Sequence, residues 1–187
     1  MEIKTYSSEE IYEILKNRIV HLDYEPGQIL NEKDIAGEFN VSRTPIRKVF
    51  EQLKINKLLN IIPRYGAQVA PIDFMYMKSV FEVVRELDGF AASLAAKKIT
   101  PEKIKDLEAI VKKIKNYDIE KDYTDIIIQD QNFHKIIFES AANPCLTDIL
   151  YSLQMHTERM WIYAKPEIGE INLFLNTMPN IVKTLKS

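Results

Sequence analysis

The chain has 187 residues, a formal net charge of -2 and a hydrophobic content of 46%. This length fits one large domain or two small ones, and the composition is that of an ordinary globular protein. Because the overall charge is slightly negative, any binding of nucleic acid must come from a local basic patch. The single cysteine, Cys145, excludes an intramolecular disulfide and favours a reducing compartment.

The sequence contains no pattern typical of secretion or membrane insertion. Residues 1–8 lack a basic start followed by an apolar run. No stretch reaches the roughly 18 uninterrupted apolar residues that a membrane-spanning helix needs. We therefore expect a cytoplasmic protein with no membrane partner.

The N-terminal part of the chain begins with two predicted helices. Ser7 and Glu10 form a capping-box pattern at the start of the first helix. The second is predicted to run from an Asn31 cap to about Phe39, and Asn40 suits a left-handed turn after it. Both segments carry apolar residues at helical spacing, which predicts that each buries one face.

A third helix and a hairpin follow. Ser42 can cap this helix, and Pro45 in its first turn breaks no helical hydrogen bond. Residues 59–62 and 67–69 are predicted strands joined by a turn at 63–66. The predicted buried stripe of the third helix consists of Ile46, Val49, Phe50 and Leu53. Three short helices followed by a hairpin are typical of a winged helix-turn-helix, whose third helix enters the major groove of DNA.

Basic side chains lie on the predicted exposed face of the third helix. Arg43 and Arg47 are four residues apart, so they share one face, and Thr44 lies beside them. Guanidinium groups can bind phosphates or guanine edges there, and a hydroxyl can contact either. A solvated basic face without DNA is the alternative, and the helix alone leaves both interpretations open.

Three segments resemble the GntR family of bacterial regulators: 30–36 (LNEKDIA), 41–47 (VSRTPIR) and 63–66 (PRYG). The resemblance implies that particular positions approach DNA. These positions are Lys33, Arg43, Thr44, Arg47 and the wing residue Gly66. The sequence departs from the family pattern at Asn40, where glycine is usual, and at the bulky Tyr65 in the wing.

The chain from Asp73 onward is entirely helical in pattern, which places the domain joint at residues 70–72. We therefore predict a mainly α protein with a winged helix-turn-helix domain at 1–72 and an all-helical bundle at 73–187. The five predicted helices of the bundle span residues 73–98, 101–117, 123–142, 144–164 and 167–187.

The bundle resembles the C-terminal FCD domain of the FadR-like branch of the GntR family. The matching residues are 85–88 (RELD) with 91–92, 130–134 (DQNFH) and 141–146 (AANPCL). The resemblance implies a homodimer whose bundle binds a small organic acid, sugar acid, amino acid or acyl effector. A divalent metal such as zinc, nickel or manganese frequently accompanies the effector in this family.

Two sets of polar residues are candidates for the effector site. Asp130 and His134 are four residues apart on one helix, so they can face one metal ion, although a local hydrogen bond is the alternative. Arg85 has apolar neighbours, which predicts partial burial and an anionic partner. That partner is an effector carboxylate or an internal one: Asp88, Glu86 or Asp130. Five large apolar residues are interpreted as core: Phe133, Phe138, Met155, Met160 and Trp161.

The end of the sequence departs from the metal-binding members of the family, in which two further histidines complete the site. Aligned on Ile181-Val182, the first histidine falls at about Met178, and the sequence stops at Ser187 before the second. Pro179 lies inside the last predicted helix, where it removes a backbone hydrogen bond. We therefore expect a bundle without its closing helix, a weakly held metal and an impaired sensor.

Together these features predict a transcription regulator, more often a repressor in this family, that responds to a small effector. We expect it to bind an inverted repeat in double-stranded DNA as a homodimer, without catalysis. One alternative is a metal-dependent enzyme that activates water with Asp130 and His134, although no paired general acid and base supports it. A second alternative is a binding-only protein with an impaired sensor.

Overall fold

The computed structural model of the protein describes residues 6–164 and 172–186, without the side chains of 172–175. The chain forms two compact units that divide between Asp73 and Phe74. Among the helices of the described residues, none is long and apolar enough to cross a membrane. The predicted start of the last helix at Glu167 lies outside the described residues.

The first unit contains the three predicted helices: α1 (Ser8–Val20), α2 (Glu32–Glu38) and α3 (Arg43–Ile55). The capping box of α1 forms as predicted, since the Glu10 amide donates to Ser7 Oγ at 3.1 Å and the Ser7 amide donates to Glu10 Oε2 at 2.8 Å. Asn31 caps α2 by accepting from the Lys33 amide. Ser42 is the N-cap residue of α3, but its side chain makes no capping hydrogen bond.

The core of the first unit fixes the orientation of α3. Helix α3 packs against α1 and α2. Its predicted apolar stripe is buried against the apolar residues of α1, and the residues of this core are Ile11, Leu15, Ile19, Ile46, Val49, Phe50 and Leu53. Burying each such side chain contributes about 1.5 to 3 kcal/mol. Since one face of α3 is committed to this core, the opposite face is held toward solvent.

The wing is a three-stranded antiparallel sheet in the order β1-β3-β2 rather than the predicted two-stranded hairpin. Its strands are β1 (Ile29–Leu30), β2 (Leu59–Ile62) and β3 (Gly66–Val69). The added strand pairs Ile29 with Gln68 and Leu30 with Ala67. Two residues are too few to show an alternating pattern, so sequence periodicity could not indicate β1.

Gly66 begins β3 in a position that only glycine fits. Its φ is +123°, and it pairs with Ile62 across the β2–β3 turn. A Cβ atom at this position would lie 2.3 Å from the carbonyl oxygen of Leu30 in β1. Gly66 therefore has a structural role, whatever else it contacts: it allows β3 to approach β1 closely.

The second unit is all helical. Its helices are α4 (Phe74–Ala95), α5 (Pro101–Ile114), α6 (Tyr123–Ser140), α7 (Pro144–Ala164) and α8 (Asn172–Leu185). Helix α4 ends three residues before the predicted Lys98, and residues 96–99 continue as hydrogen-bonded turns. Helix α5 is capped by Thr100 and has Pro101 in its first turn. Helix α8 continues through Pro179 despite the missing amide donor.

All five helices contribute to one apolar core in the second unit. Its buried residues include Ala91, Leu107, Phe133, Phe138, Leu146, Leu150, Met178 and Val182. Phe133 and Phe138 are core residues, as predicted. Met178 is 2% exposed and packs in this core, so its thioether contributes apolar contacts.

We predict that Gly66→Ala destabilises the first unit by about 1 to 3 kcal/mol, because the methyl group collides with the Leu30 carbonyl and the positive φ disfavours alanine. Thermal denaturation followed by far-UV circular dichroism measures the change. The matched control is Gly37→Ala in α2, where a Cβ meets nothing within 4 Å. The control should be neutral or slightly stabilising, and equal stability of the two variants would contradict the role given to Gly66.

Candidate functional site

The exposed face of α3 brings together the residues predicted to approach DNA. Arg43, Thr44 and Arg47 are all exposed on this face. Arg47 is 65% exposed, and its Nε donates to Glu32 Oε2 at 2.8 Å. Such exposed ion pairs contribute about 0 to 1 kcal/mol. The Arg47 guanidinium can therefore leave Glu32 for a phosphate or a base edge at little cost.

Lys33 and the wing supply further exposed groups in the first unit. Lys33 lies exposed in the first turn of α2. The turn between β2 and β3 presents Arg64 and Tyr65, and Tyr65 is 71% exposed. Arg64 adopts a φ of 72°, and the Tyr65 amide donates to the Ile62 carbonyl, which closes the turn. The family resemblance implied DNA contact for Gly66 and not for Arg64, although a cation at a turn tip is visible in the sequence.

A cavity of about 290 Å³ lies in the second unit, between α4, α6 and α7. Its polar lining comes from Arg85 and Asp88 of α4, from α6 and from α7. The polar residues of α6 and α7 are Asp130, Gln131, His134, Gln154 and Thr157. This volume is at the lower end of the range for small-molecule sites. The cavity brings the predicted residues Arg85, Asp130 and His134 together and adds Asp88 to them.

His134 lies between two carboxylates. Its Nδ1 is 2.9 Å from the backbone carbonyl of Asp130 and 3.5 Å from Asp130 Oδ1. Its Nε2 is 3.9 Å from Asp88 Oδ2. The Nδ1 atom therefore forms the local hydrogen bond that the helical spacing left open, and the Nε2 atom faces α4. Asp88 was named in the sequence only as a motif residue and as a partner for Arg85.

The surroundings of these three groups shift their pKa values. Burial raises the pKa of Asp88 and of Asp130, and the neighbouring His134 opposes both shifts. Burial alone would lower the pKa of His134, but the carboxylates of Asp130 and Asp88 and the hydrogen bond to Asp130 outweigh it, so its pKa is raised. Glu158 adds a further negative charge that raises the pKa of Asp130. The cavity is thus acidic in character, with His134 as a partial counter-charge.

Arg85 is exposed and not partly buried as predicted. Its side chain is 78% exposed, and Nε and Nη2 both donate to Glu86 Oε1 at 3.1 and 3.0 Å. The internal pair with Glu86 was one of the alternatives left open. Position 85 is exposed because the apolar residues near it in the sequence lie on other faces of α4. Two apolar residues of the same helix, Val83 and Phe90, are also exposed. Arg85 therefore reaches the cavity from its rim.

The predicted metal site at Asp130 and His134 does not fit a shared ion. Within residues 6–164 and 172–186, no three His, Cys, Asp or Glu side chains are grouped so that they could hold a metal. Asp130 Oδ1 approaches Nδ1 of the imidazole, whereas Nε2 points toward Asp88. A shared ion would need the carboxylate oxygen and one free ring nitrogen to converge on one point. Met178, the position aligned with a third ligand, is buried in the apolar core.

Aromatic rings form the remaining wall of the cavity. Phe81 and Trp161 line it, and their ring centroids lie 5.7 Å apart in an edge arrangement. Trp161 was predicted as core, but it is only half-buried because it faces the cavity. His156 is buried on α7 and meets the Tyr76 ring edge-on, outside the cavity lining.

Each of the two units of the chain matches a known protein family. The GntR family of bacterial regulatory proteins matches residues 7–69, and the FCD domain matches residues 79–187. The chain is a GntR-family transcription regulator with an FCD domain. Its similarity is to transcription regulators, which favours the regulator over the metal-dependent enzyme considered from the sequence.

Individual relatives agree with this family. The chain is 29% identical over 179 residues to the HTH-type transcriptional repressor RspR of Escherichia coli K12, covering 96% of the chain and 78% of RspR. It is 30% identical over 140 residues to the gluconate operon transcriptional repressor of Bacillus licheniformis, covering 75% of the chain and 57% of that protein. The solved structure of Escherichia coli McbR/YncC shares its fold, with a TM-score of 0.79 at 19% identity over 97% of the chain and 87% of McbR/YncC.

We predict that Asp88→Asn lowers the pKa of His134, because it removes one of the two carboxylates that favour the protonated imidazole. NMR titration of the His134 ring protons measures this pKa. Glu82→Gln makes the same chemical change elsewhere on α4, where Glu82 pairs with Lys78, and should leave the His134 pKa unchanged. An unchanged His134 pKa in Asp88→Asn would show that Asp88 does not act on the imidazole.

Proposed function

We propose that this GntR-family regulator binds operator DNA through the exposed face of α3 and represses transcription until an effector occupies the cavity of its second unit. One observation supports the DNA-binding proposal most strongly. The burial of the apolar stripe of α3 leaves Arg43, Thr44 and Arg47 together on the exposed side of the first turns of the helix. Residues at the start of such a helix contact base edges in the major groove.

Each exposed group has a chemically defined role in this proposal. Arg43 and Arg47 donate to guanine edges or phosphates, and the Thr44 hydroxyl contacts either. Lys33 neutralises a backbone phosphate from the first turn of α2. Gly66 sets the shape of the wing, and the neighbouring Arg64 reaches an adjacent phosphate or groove. These contacts are local, which is consistent with a chain whose net charge is -2.

The proposed DNA-bound form is a homodimer on an inverted repeat. One winged unit reads too few base pairs to select a site alone, and an inverted repeat requires two-fold symmetry. We propose that the dimer contact lies in the all-helical unit. The exposed apolar residues of α4 support this assignment, since Met75, Val83 and Phe90 are 76%, 49% and 50% exposed in the single chain.

The proposed effector site is the cavity between α4, α6 and α7. Its charged, amide and aromatic groups support a responsive sensor over the binding-only alternative, because a bundle that binds no effector gains nothing from partly buried carboxylates. Arg85 lies at the rim, while Asp130 and His134 lie on its α6 wall.

We predict that Arg43→Ala and Arg47→Ala each weaken specific operator binding by about 1 to 3 kcal/mol, since each removes a charge-assisted contact. Fluorescence anisotropy with the upstream region of the gene measures the affinity at physiological salt. Lys121→Ala removes the same charge from an exposed residue of the second unit and should bind like the parent. Parental affinity in both arginine variants would disprove the assignment of α3.

We also predict that the chain is a dimer at tens of micromolar, with twice the chain mass in light scattering. Phe90→Glu places a charge on the exposed apolar face of α4 and should shift the population toward monomer. Lys78→Glu changes the charge of an exposed polar position on the same helix and should leave the dimer intact. A parent chain that stays monomeric and also binds DNA as a monomer would contradict the dimer.

A further inference from the structure

Two buried hydrogen-bond acceptors in the lining of the cavity lack a donor among the described residues. Asp88 Oδ1 and Gln131 Oε1 are buried and have no hydrogen-bond partner among the described residues. The His134 Nδ1 donor is used by the backbone carbonyl of Asp130. Buried acceptors without donors cost free energy, so a bound molecule that supplies donors is favoured here over one that brings further acceptors.

The charges around the cavity also favour a ligand that donates hydrogen bonds. Asp88 and Asp130 line it, and the nearby Glu158 acts on Asp130 with a further negative charge. Of the cations, Arg85 lies at the exposed rim, where its weak ion pair with Glu86 leaves it able to contact an anion. Arg159 of α7 lies about half a helical turn away from Thr157 and Trp161, two of the α7 residues that line the cavity. In the interior of the cavity, His134 is the cationic group beside the two lining carboxylates.

The aromatic wall completes the description of the ligand. Phe81 and Trp161 stand beside the acidic groups, and rings of this kind attract cations placed over their faces. An apolar ligand body also packs well against them. A free carboxylate would meet two carboxylates in the interior and a guanidinium only at the rim, and the described residues 6–164 and 172–186 form no metal set that could reverse the interior charge.

Resting on the proposed function of the cavity as an effector site, we propose that its ligand is a small organic ammonium compound with an apolar body. The ammonium group donates to Asp88 and lies near Asp130, and the apolar body packs on Phe81 and Trp161. This assignment differs from the metal-bound carboxylate that the family resemblance implies. The volume of about 290 Å³ limits the ligand to a small molecule.

The chain provides its own reporter for this test. Trp161 is the single tryptophan of the sequence and lines the cavity, so its fluorescence responds to occupancy of this site. Three probes share a phenyl body and differ in charge: 2-phenylethylamine, 3-phenylpropanol and 3-phenylpropionate. Each is titrated into the full chain up to about 10 mM, the range of weak specific binding, and the propionate is also titrated with Zn²⁺.

The amine should give a saturable change in Trp161 fluorescence and bind at least about tenfold more tightly than the propionate. Asp88→Asn should weaken amine binding on the order of tenfold. Glu82→Gln, outside the cavity, should leave it unchanged. Tighter binding of the propionate, binding of the propionate only with Zn²⁺, or no saturable response to the amine would each overturn the proposal.

The comparison of probes uses the parent chain, so it decides the question even if Asp88→Asn fails to fold. Operator binding without ligand is measured separately by anisotropy. If the operator binds but the amine does not, this inference alone fails. If no operator binds at all, the proposed function fails, whatever the fluorescence titration shows.

Discussion

The burial of one face of α3 is the constraint on which the DNA-binding unit depends. Ile46, Val49, Phe50 and Leu53 are almost fully buried against the neighbouring helices, so α3 has a single possible orientation in its unit. Because the helical period places Arg43 and Arg47 outside this stripe, the same packing that stabilises the unit exposes its basic groups. The stability of the unit and the proposed DNA recognition thus depend on different sides of one helix.

The second unit shows a different balance, because its cavity holds partly buried ionisable groups. Burial of Asp88 and Asp130 disfavours their charged forms, and His134 between them recovers part of that free energy. A purely structural bundle would gain stability from apolar residues at these positions. The retained charges, beside the half-buried Trp161, are therefore best explained by recognition of a ligand.

Much of the fold was predictable, because helix periodicity and capping are local signals. The capping box at Ser7, the Asn31 cap and the bounds of α7 are confirmed. The strand β1 was not predictable, since two residues carry no period and their pairing partners are 39 and 37 residues away. The same limit applies to the cavity. The pairing of Asp130 with His134 follows from helical spacing, but the approach of Asp88 depends on how α4 packs on α6, and the exposure of Arg85 depends on which faces its neighbours occupy.

Hydrogen–deuterium exchange of the full chain with and without operator DNA tests the central claim that α3 and the wing form the DNA-binding surface. The account predicts slower exchange on DNA binding at the start of α3, around residues 42–48, and at the β2–β3 turn, around residues 62–66. A lesser effect is expected in the first turn of α2. Protection confined to the helices of the second unit, with α3 unchanged, would contradict the account.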